Sequence, residues 1–173
     1  MTIVGPVSLA LQLDSTATDT DVQVTLSDVR PDGSEMYLSS GWLRASDRAL
    51  NTTRSTILHP VPLYTASSVS LLTPGQAVSL HVALNPVAYT LRTGDRLRVT
   101  ISAPGGDRPS WEFGTFLTGG LVTDTVHFGA TGVSTLYVNA LTTAAPTPSD
   151  ARPACGSNRG MPCRDYQAAG NGG

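Results

Sequence analysis

Lysine is absent from this chain of 173 residues. All eleven basic residues are arginine, charged side chains make up only 14% of the sequence, and the net charge is −2. Phosphate binding needs a clustered positive surface, so a slightly acidic chain without a basic run carries no footprint for nucleic acid. No apolar run approaches the ~20 residues that a membrane helix requires. The opening Met1-Thr2-Ile3-Val4-Gly5-Pro6 lacks the charged and apolar regions of a signal peptide, so the chain is expected to be soluble, with any export signal outside it. Cysteine occurs twice and aromatic residues supply 6%. The length suits one domain with a real core.

What the chain has in abundance is Thr, Ser, Gly, Pro and Val, the balance of a sheet-and-turn protein. The stretch "DTDVQVTLSDVRPDGS", Asp19 to Ser34, resembles a calcium loop in its aspartates. Counted from Asp19, however, the fifth position is Gln23 and the sixth, where the chain must turn around the ion, is Val24. The segment fits strict alternation instead, with Val22, Val24 and Leu26 on one face and Gln23, Thr25 and Ser27 on the other. Asp28-Val29-Arg30-Pro31-Asp32-Gly33 closes it as a turn. Most of these aspartates are expected to cap turns and face water.

Comparable strand signals run from Val7 to Leu13, Val22 to Val29, Glu35 to Leu43, Val78 to Leu84, Leu97 to Ser102, Thr123 to Phe128 and Thr135 to Leu141. No segment sustains a 3.6-residue apolar period, so helices should be few and short. Short alternating strands punctuated by turns predict an all-β fold, an antiparallel sandwich of two sheets. Ala45 to Ser68 reads as a long irregular crossing with His59-Pro60-Val61-Pro62 extended. The expected organisation is a sandwich domain over 1–141, then a Pro-rich linker and a Gly-rich tail over 142–173.

Chemistry of the common kinds is missing. The nucleophile elbow Gly-x-Ser-x-Gly is absent, and its nearest relative, Gly132-Val133-Ser134-Thr135-Leu136, lacks the second Gly and leads into a strand. His59, His81 and His127 are isolated in sequence and lack zinc-ligand spacing, so no metal or cofactor is expected. A triad is known by geometry, which leaves open a meeting of one of them with a Ser and an Asp. Gly105-Gly106 leads to Asp107-Arg108-Pro109 and reads as a turn, not a phosphate loop.

Two features invite a role. Cys155 and Cys163 enclose "GSNRGMP", for which a local disulfide is the leading option beside two free thiols; closing so short a loop contributes on the order of 2 to 3 kcal/mol. A disulfide implies an oxidising compartment, secreted or periplasmic, and free thiols a cytoplasmic one. Trp111, Phe113 and Phe116 in "PSWEFGTF" suit a sugar-stacking platform, core packing or an apolar patch covered by another domain, with burial against protein the favoured reading.

Three pieces in order resemble the C-terminal β-domain of the cocaine-esterase-like (CocE/NonD) hydrolases, related to the X-Pro dipeptidyl-peptidases. They are "DTDVQVTLSDVRPDGSEMYLSSGWLRAS" (Asp19 to Ser46), "LTPGQAVSLHVALNPVAYTLRTGDRLRVTISAPGGDRPSWEF" (Leu72 to Phe113) and "CGSNRGMPCRDY" (Cys155 to Tyr166). One departure is Asp95, where many members carry His. The resemblance implies a jelly-roll sandwich of the galactose-binding-like type, packed against an α/β-hydrolase domain that lies earlier in the chain, in cis, or is supplied in trans. That domain holds the family's Ser-His-Asp triad, so no catalytic residue carries over to this sequence. The expected role is a non-catalytic accessory domain that buttresses the hydrolase and shapes its substrate cleft, with Trp111, Phe113 or Phe116 in the contact. The alternative is a stand-alone carbohydrate- or ligand-binding module; fold alone does not decide between them.

Overall fold

The computed structural model describes residues 1–105, 120–129, 133–141 and 151–168. Eight strands occur among them: β1 (Thr2–Ser15), β2 (Asp21–Val29), β3 (Ser34–Arg44), β4 (Val78–Thr90), β5 (Arg96–Ser102), β6 (Asp124–Val126), β7 (Thr135–Ala140) and β8 (Arg164–Asp165). The helical content described is two three-residue 3-10 turns, Ala45–Asp47 and Ala66–Ser68.

The strands form two antiparallel sheets. One has the order β4-β1-β6, with β7 also on β1; the other has the order β5-β2-β3-β8. Alternation decides what lies between them. Ile3, Val7, Leu9, Leu11 and Leu13 of β1 and Leu80, Val82 and Leu84 of β4 meet Val22, Val24 and Leu26 of β2 and Leu38 and Leu43 of β3, all buried. This is the sandwich that the strand pattern predicts. Removing one such Leu costs ~2–5 kcal/mol, the transfer loss plus the cavity left behind.

Several strands run further than the sequence suggests. The expected end of β4 was Leu84, before Asn85-Pro86, yet pairing with β1 continues to Thr90. Pro86 is tolerated because β4 is the outer strand of its sheet and the register shifts between Gly5 and Val7 opposite it. A second register shift, between Leu26 and Ser27, leaves Leu38 extra in β3. Leu38 thereby joins the core beside Ser39, which keeps the inward parity of Gly41 and Leu43 and whose hydroxyl donates to the Asn85 carbonyl of the facing sheet at 2.6 Å. Asn85 Nδ2 returns a bond to the Ser40 carbonyl at 3.2 Å.

At this seam Gly41 is required by space. A Cβ there would lie 2.0 Å from the Ala83 oxygen.

Two expectations are corrected. Gln23, Thr25 and Ser27, on the face opposite Val22, Val24 and Leu26 in a strand whose alternation is that of a half-buried one, are buried as well. The aspartates largely do not face water. Asp19 is buried and its Oδ1 accepts the amides of Thr20 and Ser46, Asp28 is fully buried, and Asp21 binds Arg44 through two bonds of 2.8 and 3.0 Å. Only Asp32 behaves as expected, exposed and capping the turn through the Ser34 amide and hydroxyl.

The C-terminal segment lies along the β3 edge. The strand β8 pairs with Ser34 and Glu35, and Tyr166 stacks under the guanidiniums of Arg96 and Arg98 at 5.0 and 5.1 Å. An edge strand offers unpaired backbone groups, and here the tail takes some of them up.

Candidate docking face

The three histidines go to three places. His59 closes a small turn with Thr56, and His81 faces Ser79 at 3.4 Å on β4. His127 Nε2 lies 2.6 Å from Asp14 Oδ2. Ser134 is close to that pair, yet its hydroxyl donates to the backbone carbonyl of His127 at 3.0 Å and accepts the Gln12 amide. The serine proton is thus directed at a carbonyl and not at an imidazole, the opposite of what a nucleophile needs. No group of three or more His, Cys, Asp or Glu side chains converges as a metal site among the described residues. No helix among them is long and apolar enough to cross a membrane.

Trp111, Phe113 and Phe116, the aromatics expected in an interdomain patch, lie outside the described residues. A different apolar surface is present, on the crossing whose sequence has no regular period. The crossing between β3 and β4 exposes Ile57, Leu63, Tyr64, Val69 and Leu71, and the flanks of β6 expose Leu121, Phe128 and Val133. Hydrogen bonds string these segments along β1. Ile57 offers its carbonyl to the Ser8 hydroxyl, the His127 amide binds the Gln12 carbonyl, Thr123 the Thr16 amide, and Leu72 the Thr18 carbonyl. These bonds place Ile57, Leu71 and the flanks of β6 beside β1 and the turn that follows it, whereas Tyr64 stands beside Asp21, Trp42 and Arg44 of the other sheet.

The crossing is held in a fixed shape. Asn51 Oδ1 accepts the Thr53 and Arg54 amides, and the Asn51 amide binds the Val61 carbonyl. The Leu63 amide binds Ala49, Arg48 binds the Ser70 hydroxyl at 3.0 Å, and Thr65 and Ser68 cap the 3-10 turn reciprocally. Tyr64, 64% exposed, has φ +49°, a left-handed conformation costly for a bulky L-residue and kept only where its surroundings over-determine it. A loop that fixes its backbone while presenting apolar side chains to water has already lost the entropy that docking would otherwise remove.

At the opposite end of the core, Asp28 faces inward on β2. Tyr89 donates its hydroxyl to Asp28 Oδ2 at 2.8 Å, and Arg30 Nε stands 3.6 Å away. Burial pushes the Asp28 carboxyl above its ordinary range, against the lowering bond from Tyr89, and the neighbouring Asp95 adds to the rise. Asp28 Oδ1 and Arg30 Nε have no hydrogen-bond partner among the described residues. Tyr89 also lines two cavities of about 250 and 460 Å3 beneath the tail. A third cleft, about 200 Å3, is lined by Trp42 and Tyr64 with Asp21, Arg44 and Asp47.

A family model described as the X-Pro dipeptidyl-peptidase C-terminal non-catalytic domain matches residues 1–136. Proteins of Mycobacterium bovis and Mycobacterium tuberculosis, both named as serine esterases, are each 33% identical over 102 residues, 58% of this chain and 16% of the relative. The chain thus spans about a sixth of the length of these curated relatives. Two crystal structures of a CocE/NonD family hydrolase from Staphylococcus aureus match with TM-scores of 0.66 and 0.67 at 21% and 20% identity, over 79% of this chain and 28% of that one. An alpha-amino acid ester hydrolase matches with a TM-score of 0.58 at 19% identity, over 79% of this chain and 23% of that one. At these identities the structural likeness is one of fold.

Proposed function

The chain belongs to the family of X-Pro dipeptidyl-peptidase C-terminal non-catalytic domains, and from that premise we propose that it serves as the accessory sandwich of a CocE/NonD-like serine hydrolase, docked on an α/β-hydrolase domain in cis or in trans. The observation that carries the reading is the rigid crossing that presents Ile57, Leu63, Tyr64, Val69 and Leu71 to solvent. Scattered exposed apolar residues are ordinary, but a set of this kind on one fixed loop and its neighbours is the mark of a surface covered by protein. Interdomain contacts of this type bury several hundred Å2 a side, on the order of 600–1,500 Å2 in total. The role is mechanical: the sandwich covers apolar surface on the hydrolase domain and supplies one wall of its substrate cleft, while the hydrolase domain supplies the triad.

The test uses the separately expressed hydrolase portion of the Mycobacterium tuberculosis relative, mixed with this chain in an analytical ultracentrifuge. Association is expected, and the pair Ile57→Asp and Leu71→Asp should weaken it at least roughly tenfold, since each places a charge in a desolvated contact. Ser157→Asp, on the tail, should leave it unchanged. An unaltered association in the Asp pair, or none in the wild type, overturns the reading.

The Trp42–Tyr64 cleft favours a second reading, a module for a small polyhydroxylated ligand, because two aromatic side chains stand there with the Asp21–Arg44 pair and Asp47. Saturable quenching of tryptophan fluorescence by a monosaccharide, abolished in Tyr64→Ala, would establish it. A flat titration with a panel of neutral and acidic monosaccharides removes it.

A further inference from the structure

We propose that residues 151–166 form a reducible clasp, a segment fastened over the seam between the two sheets by the Cys155–Cys163 disulfide and released when a dithiol opens that bond. The two cysteines are joined in the structure. What distinguishes this bond from an ordinary core staple is the set of contacts made by the short loop it closes. Asn158 Nδ2 donates to the carbonyls of Tyr37 and Leu38 on β3, at 2.9 and 3.2 Å. Arg159 Nη2, one residue on, donates to the Pro86 carbonyl on β4 at 3.0 Å. One loop therefore grips both sheets where β3 and β4 approach each other, and Met161 is its buried anchor.

Flanking contacts depend on the same segment. Arg30 reaches the Pro153 carbonyl at 2.8 Å, Arg152 pairs with the buried Asp95, and β8 completes the β3 edge. The loop's shape fits a glycine at position 156 and holds Arg159 in a region that L side chains rarely adopt. Gly156 has φ +86°, with room so tight that a Cβ would stand 2.9 Å from the Cys163 amide nitrogen, and Arg159 has φ +52°. Non-glycine residues persist in that region only when closure and contacts over-determine them. Opening the ring removes the closure.

The two sulfurs are unequally accessible. Cys163 is exposed, whereas Cys155 is partly covered and its Sγ lies 3.5 Å from the Glu35 carbonyl. Exchange thus begins at Cys163. A thiolate of the dithiol attacks Cys163 Sγ, the S–S bond breaks, and Cys155 leaves as a thiolate. The second thiol of the reductant then attacks its own sulfur in the mixed disulfide and frees Cys163 as a thiolate. Two electrons pass from the dithiol to the cysteine pair, the two thiol protons of the reductant end on Cys155 and Cys163, and the reductant leaves as a disulfide. None of the clasp residues belongs to the proposed docking face, so release does not depend on that reading.

The experiment is hydrogen exchange on the whole chain, oxidised and after millimolar dithiothreitol, with alkylation and mass measurement to count free thiols. Reduction should free both cysteines and speed exchange at the Met161 and Tyr166 amides by at least roughly tenfold, the signature of a local opening, while Leu26 and Val82 keep their protection. The variant Cys155→Ser/Cys163→Ser should show the fast pattern in either condition; the reduced wild type carries the test by itself if that variant does not fold. Unchanged tail exchange after confirmed reduction overturns the clasp. Resistance of the bond to dithiothreitol in the native protein, or equal acceleration at Leu26 and Val82, overturns it as well, the last because the bond would then be a staple of the whole domain.

Discussion

Replacing Gly41 by alanine tests how closely the two sheets approach at their β3–β4 seam. The added Cβ would stand 2.0 Å from the Ala83 oxygen, 2.8 Å from the Ala83 carbonyl carbon and 3.0 Å from the Leu84 Cα. All three are backbone atoms, so no side chain can rotate away. The sheets must part locally by about an ångström, and overpacking of this kind costs ~1–3 kcal/mol, sometimes more. The same movement stretches the Ser39–Asn85 and Asn85–Ser40 bonds between the sheets, at about 0.5–1.5 kcal/mol each. The sum is roughly 2 to 6 kcal/mol, a large part of the ~5–15 kcal/mol that holds a domain folded. In a chain of this size that lowers Tm by about 4 to 24 °C. Thermal unfolding by circular dichroism, with urea unfolding for ΔG, measures it. Gly120→Ala is the matched control, because none of the described residues lies within 4 Å of its Cβ position and its φ is not in the left-handed region; it should stay within about 0.5 kcal/mol of wild type. A Gly41→Ala protein within ~1 kcal/mol of wild type would refute the close approach.

Further outcomes follow from the polar groups. Because the folded Asp28 carboxyl titrates above its ordinary value of 3.8, the native state holds that proton more tightly than the unfolded chain does; its contribution to stability is full below the unfolded pKa and declines as pH rises through the folded one. Asp28→Asn should remove that decline, so its stability relative to wild type improves from pH 3.5 towards pH 7, read by urea unfolding at each pH; a pH-independent difference contradicts the assignment. Tyr89→Phe removes the hydroxyl that lowers the Asp28 pKa and leaves a buried carboxylate short of a donor, a loss of ~1–3 kcal/mol by urea unfolding. Ser39→Ala should cost about 1 kcal/mol by the same assay through the bond to Asn85. The chain alone should leave a chromogenic ester at its buffer rate, and a serine-directed phosphonate should add no mass; one labelled serine would contradict a non-catalytic role.

Alternation, turn chemistry and composition determined that this chain is a two-sheet antiparallel sandwich, because period-two burial is a local property that survives in the sequence. The family motifs pointed to a non-catalytic accessory domain, and the proximity of Cys155 and Cys163 made a local disulfide readable. Parity also held the clue to Asp28: it shares the face of Val22, Val24 and Leu26, but its type and the Pro-Asp-Gly after it read as a turn. Its burial depends on Tyr89 and Arg30, the first lying 61 residues away. Tertiary structure alone decided the rest. The bulge at Leu38 brings Leu38 and Met36 to the inner side beside Ser39, a one-residue shift that alternation cannot foresee. The apolar residues from Ile57 to Leu71 form a surface only because long-range bonds to Ser8, Ser46 and Thr18 fix the crossing. The tail became part of the fold because Asn158 and Arg159 find carbonyls on two different sheets, and no spacing within a sequence records which distant backbone groups are left to be bonded.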